Sequence, residues 1–245
     1  MEFTYIIAYR HNEQRYKNLK TVLEWLKNFD CEIIIAEHDT IKHVDADVKH
    51  ILLDNNLAFN KSWAFNTAYL NASADIIVFG DADLIMDVEQ FKTALNELKN
   101  YDVVNPYNSV VDLYKEETTI FMYSGDFNTL KNISRSGRGE TDHQKVPMCG
   151  GIIMFNRNAL DIIGGWNEDF WGWGGEDDFM SIKVKHFLKY YENKAKCYHM
   201  YHDKAAIDYN LYMRNLEIYN KTKDLSKEQF KIYIDKIKNN IGKAK

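Results

Sequence analysis

Short apolar runs and amphipathic segments alternate along the first half of the chain. Residues 4–8 form an apolar run, and within residues 13–28 Leu19, Val22 and Leu26 recur on one helical face. Further apolar runs lie at 32–36, 50–53, 75–79 and 151–155, and a further helical segment lies at 61–72. Runs that are apolar on both faces are typical of a mostly parallel sheet flanked by helices, so we predict an α/β fold.

The size and charge of the chain narrow the class of protein. Its 245 residues, 45% of them hydrophobic, suffice for one large core. The net charge of −5 provides no basic field for a nucleic-acid backbone, so we expect no nucleic-acid partner. Three widely spaced cysteines argue against a disulfide framework or a zinc knuckle. We see no run long enough for a signal peptide or a transmembrane segment and expect a soluble, cytoplasmic protein.

The segment from Ile207 onward has a helical pattern and ends rich in lysine. One face of its last helix carries Phe230, Tyr233, Ile234, Ile237 and Ile241. We expect this face to pack against the body of the protein. Weak, reversible contact with an acidic membrane surface is the alternative.

Two carboxylates follow the apolar run at 75–79. Asp81 and Asp83 come directly after Gly80, at the carboxyl end of the predicted strand, where α/β sheets bind their ligands. Carboxylates there can hold a hard divalent cation, which in turn neutralises a diphosphate. Spacing alone means little, because Asp45 and Asp47 repeat it in a polar loop. The position after a core strand is what favours a function for the first pair.

The stretch 164–178 combines tryptophan and glycine and ends in Glu176, Asp177 and Asp178. Glycine lets the backbone fold tightly around a ligand, and a tryptophan face suits the apolar side of a sugar ring. The three acids predict the start of a helix, where the macrodipole favours negative charge. For Asp178, helix capping and chemistry both stay open, whereas we expect Asp177 to accept a proton from a hydroxyl group.

Histidines three residues apart suggest a metal site. His199 and His202 can reach one cation in a bent segment, and with Asp83 in the same chain we predict a site of these three ligands. The polar stretch around 134–147 predicts a loop that is either a lid or a plain surface loop. We find no GxSxG elbow, phosphate-binding loop or dinucleotide fingerprint, which disfavours hydrolases, kinases and dehydrogenases.

The string Trp-Gly-Trp-Gly-Gly-Glu-Asp-Asp at 171–178 resembles the WGWGGEDD signature of the animal β-1,4-galactosyltransferases and related N-acetylgalactosaminyltransferases. The similarity extends over residues 3–204. Residues 59–61 resemble the family's FNR element, and residues 9–10 resemble the FR pair that follows its first strand. Residues 80–85 resemble its SDVDLIP segment.

The resemblance implies a fold of the GT-A type and a division into parts. The glycosyltransferase domain would be 1–204, with a nucleotide-binding half at 1–105 and an acceptor and catalytic half at 106–204. Residues 205–245 would form a C-terminal helical extension.

The resemblance also implies roles. The reaction would be an inverting transfer from a UDP-sugar to a saccharide acceptor, with Mn²⁺ bound and Asp177 as the catalytic base. His199 stands where the animal enzymes carry methionine, and imidazole is the harder ligand, so Mg²⁺ is a second candidate metal. The residues near the nucleotide would be Arg10, Phe59, Lys61, Asp81 and Ala82. Those lining or flanking the sugar sites would be Met148, Gly151, Trp173, Gly174, Glu176 and Asp178.

The chain departs from this family in several places. Met148 replaces a tyrosine that crowds the donor sugar, which leaves galactose and N-acetylgalactosamine both open. Phe179 replaces a third acid, Lys61 replaces arginine, and the family's membrane anchor and disulfide cysteines are absent. These absences suggest a bacterial or viral enzyme of glycan synthesis.

Two other functions stay open at this point. Nucleotidyl transfer also uses paired carboxylates and metal, but it predicts a basic triphosphate-binding motif, of which we find only the isolated Arg10 and Lys61. A non-catalytic carbohydrate-binding relative would keep the tryptophan-rich cleft without turnover.

Overall fold

The computed structural model describes residues 1–140, 146–204, 206–238 and 241–243. The strands in these ranges are β1 (Phe3–Tyr9), β2 (Cys31–Asp39), β3 (Lys49–Asp54), β4 (Ile76–Gly80), β5 (Leu84–Met86), β6 (Val103–Asn105), β7 (Ser109–Asp112), β8 (Ile153–Asn156), β9 (Tyr190–Glu192) and β10 (Lys196–His199). The helices are α1 (Glu13–Leu26), α2 (Lys61–Tyr69), α3 (Val88–Glu97), α4 (Lys115–Ser124), α5 (Phe127–Lys131), α6 (Arg157–Ile163), α7 (Glu176–Phe187), α8 (Tyr209–Thr222) and α9 (Lys227–Lys238).

A seven-stranded sheet forms the centre of the fold, in the order β3-β2-β1-β4-β8-β6-β9. The four strands from β3 to β4 are parallel, and β8 runs antiparallel to both of its neighbours. The mostly parallel α/β sheet predicted from the sequence is therefore confirmed, with β8 as its one antiparallel insertion among the described strands. Because β1 and β4 pair in parallel, the residues that follow them lie at the same edge of the sheet.

Helices cover both faces of this sheet. Alternate residues of β1 enter two cores: Tyr5 and Ile7 pack on the α1 and α3 side, and Ile6 packs on the side of α2, α6 and α7. Successive side chains of β1 point to opposite faces of the sheet, and both faces are buried. The strand therefore has an uninterrupted apolar sequence. Trp25 of α1 also donates a hydrogen bond to the carbonyl of Met86, which ties α1 to β5.

A second sheet, which the sequence pattern did not predict, has the order β5-β10-β7. In it β10 is antiparallel to β5 and parallel to β7. Each strand has only three or four residues, too few for a periodic pattern to stand out. This sheet places His199 opposite Leu84, and so beside Asp83.

The C-terminal extension packs against the body. Phe230 and Ile234 of α9 are fully buried and form a cluster with Phe170 and Phe179. Tyr233 and Ile237 pack on the same cluster, so the predicted packing of this face is confirmed for them. No helix in the described part of the chain combines the length and apolar character needed to cross a bilayer.

The loop predicted around 134–147 is only partly described. Its first residues are held against β7: Arg138 exchanges backbone hydrogen bonds with Val110 and pairs with Asp112, while Arg135 pairs with Glu117. Residues 141–145 lie outside the described ranges, so a lid stays a prediction.

We expect Phe230→Ala to destabilise the whole protein by about 3–5 kcal/mol, because it removes a ring from a fully packed cluster. Urea unfolding followed by circular dichroism measures this loss. Ile232→Ala is the matched control, since Ile232 lies on the same helix with its side chain exposed. An early, separate transition for Phe230→Ala would instead show that the extension unfolds independently of the body.

Candidate active site

The first acidic pair extends from the end of β4 towards the small sheet. Gly80 closes β4, and a side chain at this position would collide with the Tyr5 hydroxyl, so glycine is required there. Asp83 is largely buried, and its carbonyl accepts a hydrogen bond from the Met200 N–H. By contrast, Asp45 and Asp47 lie in an exposed loop, as the sequence suggested.

Asp83, His199 and His202 converge as predicted. The Nε2 atom of His199 lies 3.7 Å from one carboxylate oxygen of Asp83, and that of His202 lies 3.3 Å from the other. One ligand atom from each residue falls within 4.8 Å of the others. One carboxylate and two imidazoles form a donor set suited to a divalent transition metal such as Mn²⁺.

The two imidazoles are oriented through their other ring nitrogens. His199 Nδ1 lies 2.8 Å from an Asp112 carboxylate oxygen, and His202 Nδ1 lies 2.9 Å from the Asp203 carbonyl. Both partners accept hydrogen bonds, so each Nδ1 carries a proton and Nε2 is the ring atom left to bind a metal. The residues therefore fit a metal ion without a change of tautomer.

Asp112 is a functional candidate that the sequence did not reveal. Arg138 donates to its carboxylate at 2.8 and 3.0 Å. Burial raises the pKa of Asp112, but the hydrogen bonds from His199 and Arg138 outweigh it and lower the pKa to about 2. Asp112 therefore stays ionised. Because β7 has only four residues, the position of Asp112 at its carboxyl end could not be recognised in the sequence.

Lys61 joins the two acidic motifs. Its Nζ atom lies 2.9 Å from Asp81 and 3.5 Å from Asp177, residues 96 positions apart in the chain by their numbering. Asn60, the N-cap of α2, accepts a hydrogen bond from the Trp63 N–H and so fixes the start of the helix that carries Lys61. Burial lowers the pKa of Lys61, but Asp177 and Asp81 raise it well above its usual value. Lys61 is therefore a permanent cation between the motifs.

The three acids begin α7, as predicted. Burial raises the pKa of Asp177, and Lys61 only partly offsets this effect. Burial also raises the pKa of Glu176, whose Oε2 atom is buried without a hydrogen-bond partner among the described residues. Asp178 is exposed and accepts no capping hydrogen bond there. Its predicted role near the sugars stays a prediction.

A glycine loop passes directly beside Asp177. A side chain at Gly150 would stand 3.3 Å from an Asp177 carboxylate oxygen, and one at Gly151 would collide with the Tyr107 hydroxyl. That hydroxyl donates to the Gly150 carbonyl at 2.6 Å and accepts from the Ile152 N–H at 3.0 Å. Tyr107, another residue that the sequence did not single out, therefore fixes this loop.

Met148 begins the same loop but is buried in the core. Only 2% of its surface is exposed, so it lies below the surface of the site. Its predicted part in choosing the donor sugar stays a prediction.

Arg10 and Phe59 lie in a second corner of the site, around His38. Arg10 donates to the carbonyls of His38 at 3.0 Å and of Leu57 at 2.7 Å, and the Phe59 ring lies 5.9 Å from the imidazole of His38. Burial and Arg10 lower the pKa of His38 to about 4. Its Nδ1 accepts from the Asn60 N–H, which leaves Nε2 buried and without a partner among the described residues.

The tryptophan-rich loop connects to this corner and to the extension. The Gly172 N–H donates to the Phe59 carbonyl at 2.8 Å. Ala82, which lies between Asp81 and Asp83 in the chain, is buried. Trp173 is 61% exposed, and Gly174 adopts a φ of +99° that favours glycine. The loop thus holds a tryptophan face open to solvent close in the chain to Asp177.

A second group of possible ligands, Glu37, Asp39 and His43, has a structural explanation. Both carboxylate oxygens of the buried Glu37 already accept hydrogen bonds from the His43 backbone N–H, and one is 2.7 Å from His50 Nε2. The carboxylate is satisfied by protein donors, so we assign it no metal.

The fold is that of the GT-A glycosyltransferases. A family model described as glycosyl transferase family 2 matches residues 5–164, and one described as the N-terminal domain of galactosyltransferase matches residues 142–203. This chain belongs to glycosyl transferase family 2.

One similar curated protein is beta-1,4-galactosyltransferase 4 of Homo sapiens, 26% identical over 132 residues. That match covers 52% of this chain and 29% of the human protein, so the chain matches less than a third of its relative's length. The similarity bears out the resemblance that the tryptophan-rich string suggested.

Solved structures show the same fold at low identity. A Drosophila beta-1,4-galactosyltransferase 7 mutant, in complex with manganese, UDP-Gal and xylobiose, has a TM-score of 0.51 at 14% identity, covering 87% of this chain and 80% of that one. S. aureus TarS has a TM-score of 0.59 at 14% identity, and the match covers 98% of this chain and 43% of that one. GalNAc-T7 with UDP, GalNAc and Mn²⁺ has a TM-score of 0.58 at 13% identity, and the match covers 89% of this chain and 48% of that one.

We expect Asp112→Asn to weaken Mn²⁺ binding about tenfold, because the neutral amide holds His199 less firmly than a carboxylate does. His202→Ala should weaken it further by removing a ligand. Titration calorimetry with Mn²⁺ alone measures both effects. Asp47→Asn, in the exposed pair of the same spacing, is the matched control. Equal Mn²⁺ affinity in all three variants would contradict the assigned site.

Proposed function

We propose that this protein is an inverting, metal-dependent glycosyltransferase that moves galactose or N-acetylgalactosamine from a UDP-sugar to a hydroxyl of a saccharide acceptor. The observation that carries the proposal is the meeting of three groups at one edge of the sheet. The Asp83 and histidine cluster stands beside Asp81, and Lys61 connects Asp81 to Asp177.

The donor end of the site rests on charge. The carboxyl groups of Asp81, Glu176 and Asp177 surround the cation of Lys61, and Asp83 follows Asp81 closely in the chain, so a divalent cation and its ligands would complete the balance. Structural neighbours crystallised with manganese and UDP-sugars support Mn²⁺ and a UDP-sugar as the pair bound here. When bound, the metal would neutralise the diphosphate that leaves.

The nucleotide has a separate set of contacts. The guanidinium of Arg10 and the ring of Phe59, which flank His38, are our candidates for holding the uridine part, with Asp81 and Ala82 beside the diphosphate. The buried, neutral His38 offers an unused Nε2 atom to this corner. A polar ligand atom there would satisfy it.

Asp177 is our candidate for the catalytic base. Its carboxylate takes the proton of the acceptor hydroxyl, whose oxygen attacks the anomeric carbon on the face opposite UDP. The bond from that carbon to the UDP oxygen breaks, and its electron pair leaves with UDP, so the configuration inverts. The raised pKa suits this role, because a stronger base takes the proton more readily. The Gly150 loop keeps side chains away from the carboxylate and leaves room for the sugar.

The test is UDP release from UDP-galactose and from UDP-N-acetylgalactosamine, each with Mn²⁺, Mg²⁺ or EDTA and with simple sugar acceptors. Acceptor-stimulated release that EDTA abolishes is the expected result, and the faster donor identifies the sugar. No release from either donor, despite UDP binding, would sink the proposal and favour the non-catalytic relative.

We expect Asp177→Asn to lower kcat at least a hundredfold while UDP and Mn²⁺ still bind, because the amide cannot accept the proton. Glu89→Gln is the matched control, since Glu89 is an exposed acid in the first turn of another helix, α3. Turnover by Asp177→Asn close to that of the unaltered enzyme would remove Asp177 from the role of base.

The pH dependence gives an independent test. Asp177 works deprotonated, so kcat/KM should rise with pH through its pKa and then level off. Lys61 lowers that pKa, so Lys61→Met should move the rise to higher pH, whereas Lys61→Arg, which keeps the charge, should leave it in place. The measurement is kcat/KM from about pH 5 to about pH 9 at saturating Mn²⁺. If kcat/KM of Lys61→Met rises over the same pH range as that of the unaltered enzyme, the rise reports a group other than Asp177.

A further inference from the structure

Two aromatic side chains of the C-terminal extension stand beside Trp173. The ring of Tyr212 lies 5.6 Å from that of Trp173, with 30° between their planes, and the ring of Tyr209 lies 6.4 Å from that of Tyr212. Trp173 is 61% exposed and Tyr209 is 68% exposed. Tyr212, between them in the row, is half-buried. Aromatic side chains this large are normally well buried, so a row with two exposed rings is unusual.

The row is held in place by contacts between α8 and the tryptophan-rich loop. Asn215 is buried, accepts a hydrogen bond from the Trp171 N–H and donates to the carbonyls of Trp171 and Trp173. Side chains at Gly172 and Gly174 would touch Leu211 and Tyr212 respectively, so the glycine loop lies close against the helix. Tyr209 and Tyr212 share one helical face, being three residues apart.

Neither family match reaches this helix. The galactosyltransferase model ends at residue 203 and the family 2 model at residue 164, whereas α8 begins at Tyr209. Trp173 lies within the matched region and Tyr209 and Tyr212 lie beyond it. The row therefore joins a family residue to residues that belong to this chain's extension.

We propose that Trp173, Tyr212 and Tyr209 form an aromatic platform for the second sugar ring of an oligosaccharide acceptor. The inference rests on the proposed function, because it places the first acceptor sugar at Asp177. The platform starts at Trp173, four residues before Asp177 in the chain, and continues on α8, which packs against α7, the helix that carries Asp177. Flat exposed rings bind the apolar faces of pyranose rings, and the phenol hydroxyls bind their hydroxyl groups.

Core packing does not account for the row. Tyr209 is exposed and Tyr212 only half-buried, while Asn215 and the cluster of Phe170, Phe179 and Phe230 already hold the extension on the body. An acceptor of one sugar would leave Tyr209 uncovered. The arrangement therefore favours an acceptor of at least two rings.

The experiment compares monosaccharide and β-linked disaccharide acceptors: N-acetylglucosamine with chitobiose, and xylose with xylobiose. With the better donor, Tyr212→Ala and Tyr209→Ala should each lower the disaccharide-to-monosaccharide ratio of kcat/KM about fivefold. Tyr→Phe at the same positions should recover most of the ratio. Met213→Ala, an exposed residue on another face of α8, is the matched control and should leave the ratio unchanged. Ratios unchanged in both alanine variants would overturn the platform.

A binding measurement separates this proposal from the proposed function. The chain has five tryptophans, and ¹⁹F NMR of 5-fluorotryptophan protein resolves them, with Trp173→Phe assigning the signal of interest. Chitobiose or xylobiose should shift the Trp173 signal, and the shift should be smaller in Tyr212→Ala. A shift without any turnover would support the platform and contradict the proposed transfer. No shift of the Trp173 signal with either disaccharide would overturn the platform.

Discussion

The buried cation of Lys61 is the interaction on which the rest of the site depends. Without it, Asp81 and Asp177 would face each other as two carboxylates in a poorly solvated cleft, an arrangement that costs several kcal/mol. One positive charge cannot balance the carboxyl groups of Asp81, Glu176 and Asp177 around it. Burial is the main cause that keeps the pKa of Asp177 raised, and the charges of Glu176 and Asp81 add to it. The same excess of negative charge would make the neighbouring Asp83 and histidine cluster attractive to a divalent cation.

The small sheet supplies the geometry that this charge cluster needs. Antiparallel pairing of β5 and β10 fixes His199 opposite Leu84, and parallel pairing of β10 with β7 fixes it opposite Asp112. The histidine is therefore held between Asp83, its proposed partner in binding metal, and the carboxylate of Asp112 by the register of these backbone hydrogen bonds. A one-residue slip of either pairing would turn the side chains to opposite faces, so the proposed metal site depends on strand register as much as on its ligands.

Features of the fold and the site that depend on residues close together in the chain could be predicted from the sequence. Features that depend on distant residues mostly could not. The strands β1 to β4, the start of α7 and the candidate ligands themselves could be predicted, because period, position after a strand and short spacing are all local signals. The meeting of Asp83 with the histidines is long-range, and it was predicted from the kinds of ligand that these residues supply. Asp112, Tyr107 and Asn215 could not. Each acts through a partner far away in the sequence, and none lies in a motif of its own. The small sheet could not be predicted either, because its strands are too short to show a periodic pattern.

The position of Phe179 explains why the extension and the site belong together. The resemblance to the galactosyltransferases leads one to expect an acid there, directly after Asp178. In this protein the ring of Phe179 lies 5.2 Å from that of Phe230 and 5.6 Å from that of Phe170, inside the cluster that docks α9. A carboxylate in that apolar cluster would be buried without compensation, at a cost of several kcal/mol. The phenylalanine therefore suits the docking of the extension, which an acid at this position would oppose. Asp177 lies in the first turn of α7, and Phe179 of the same helix anchors the extension, so one helix connects α8 and α9 to the end of the site that holds the candidate base.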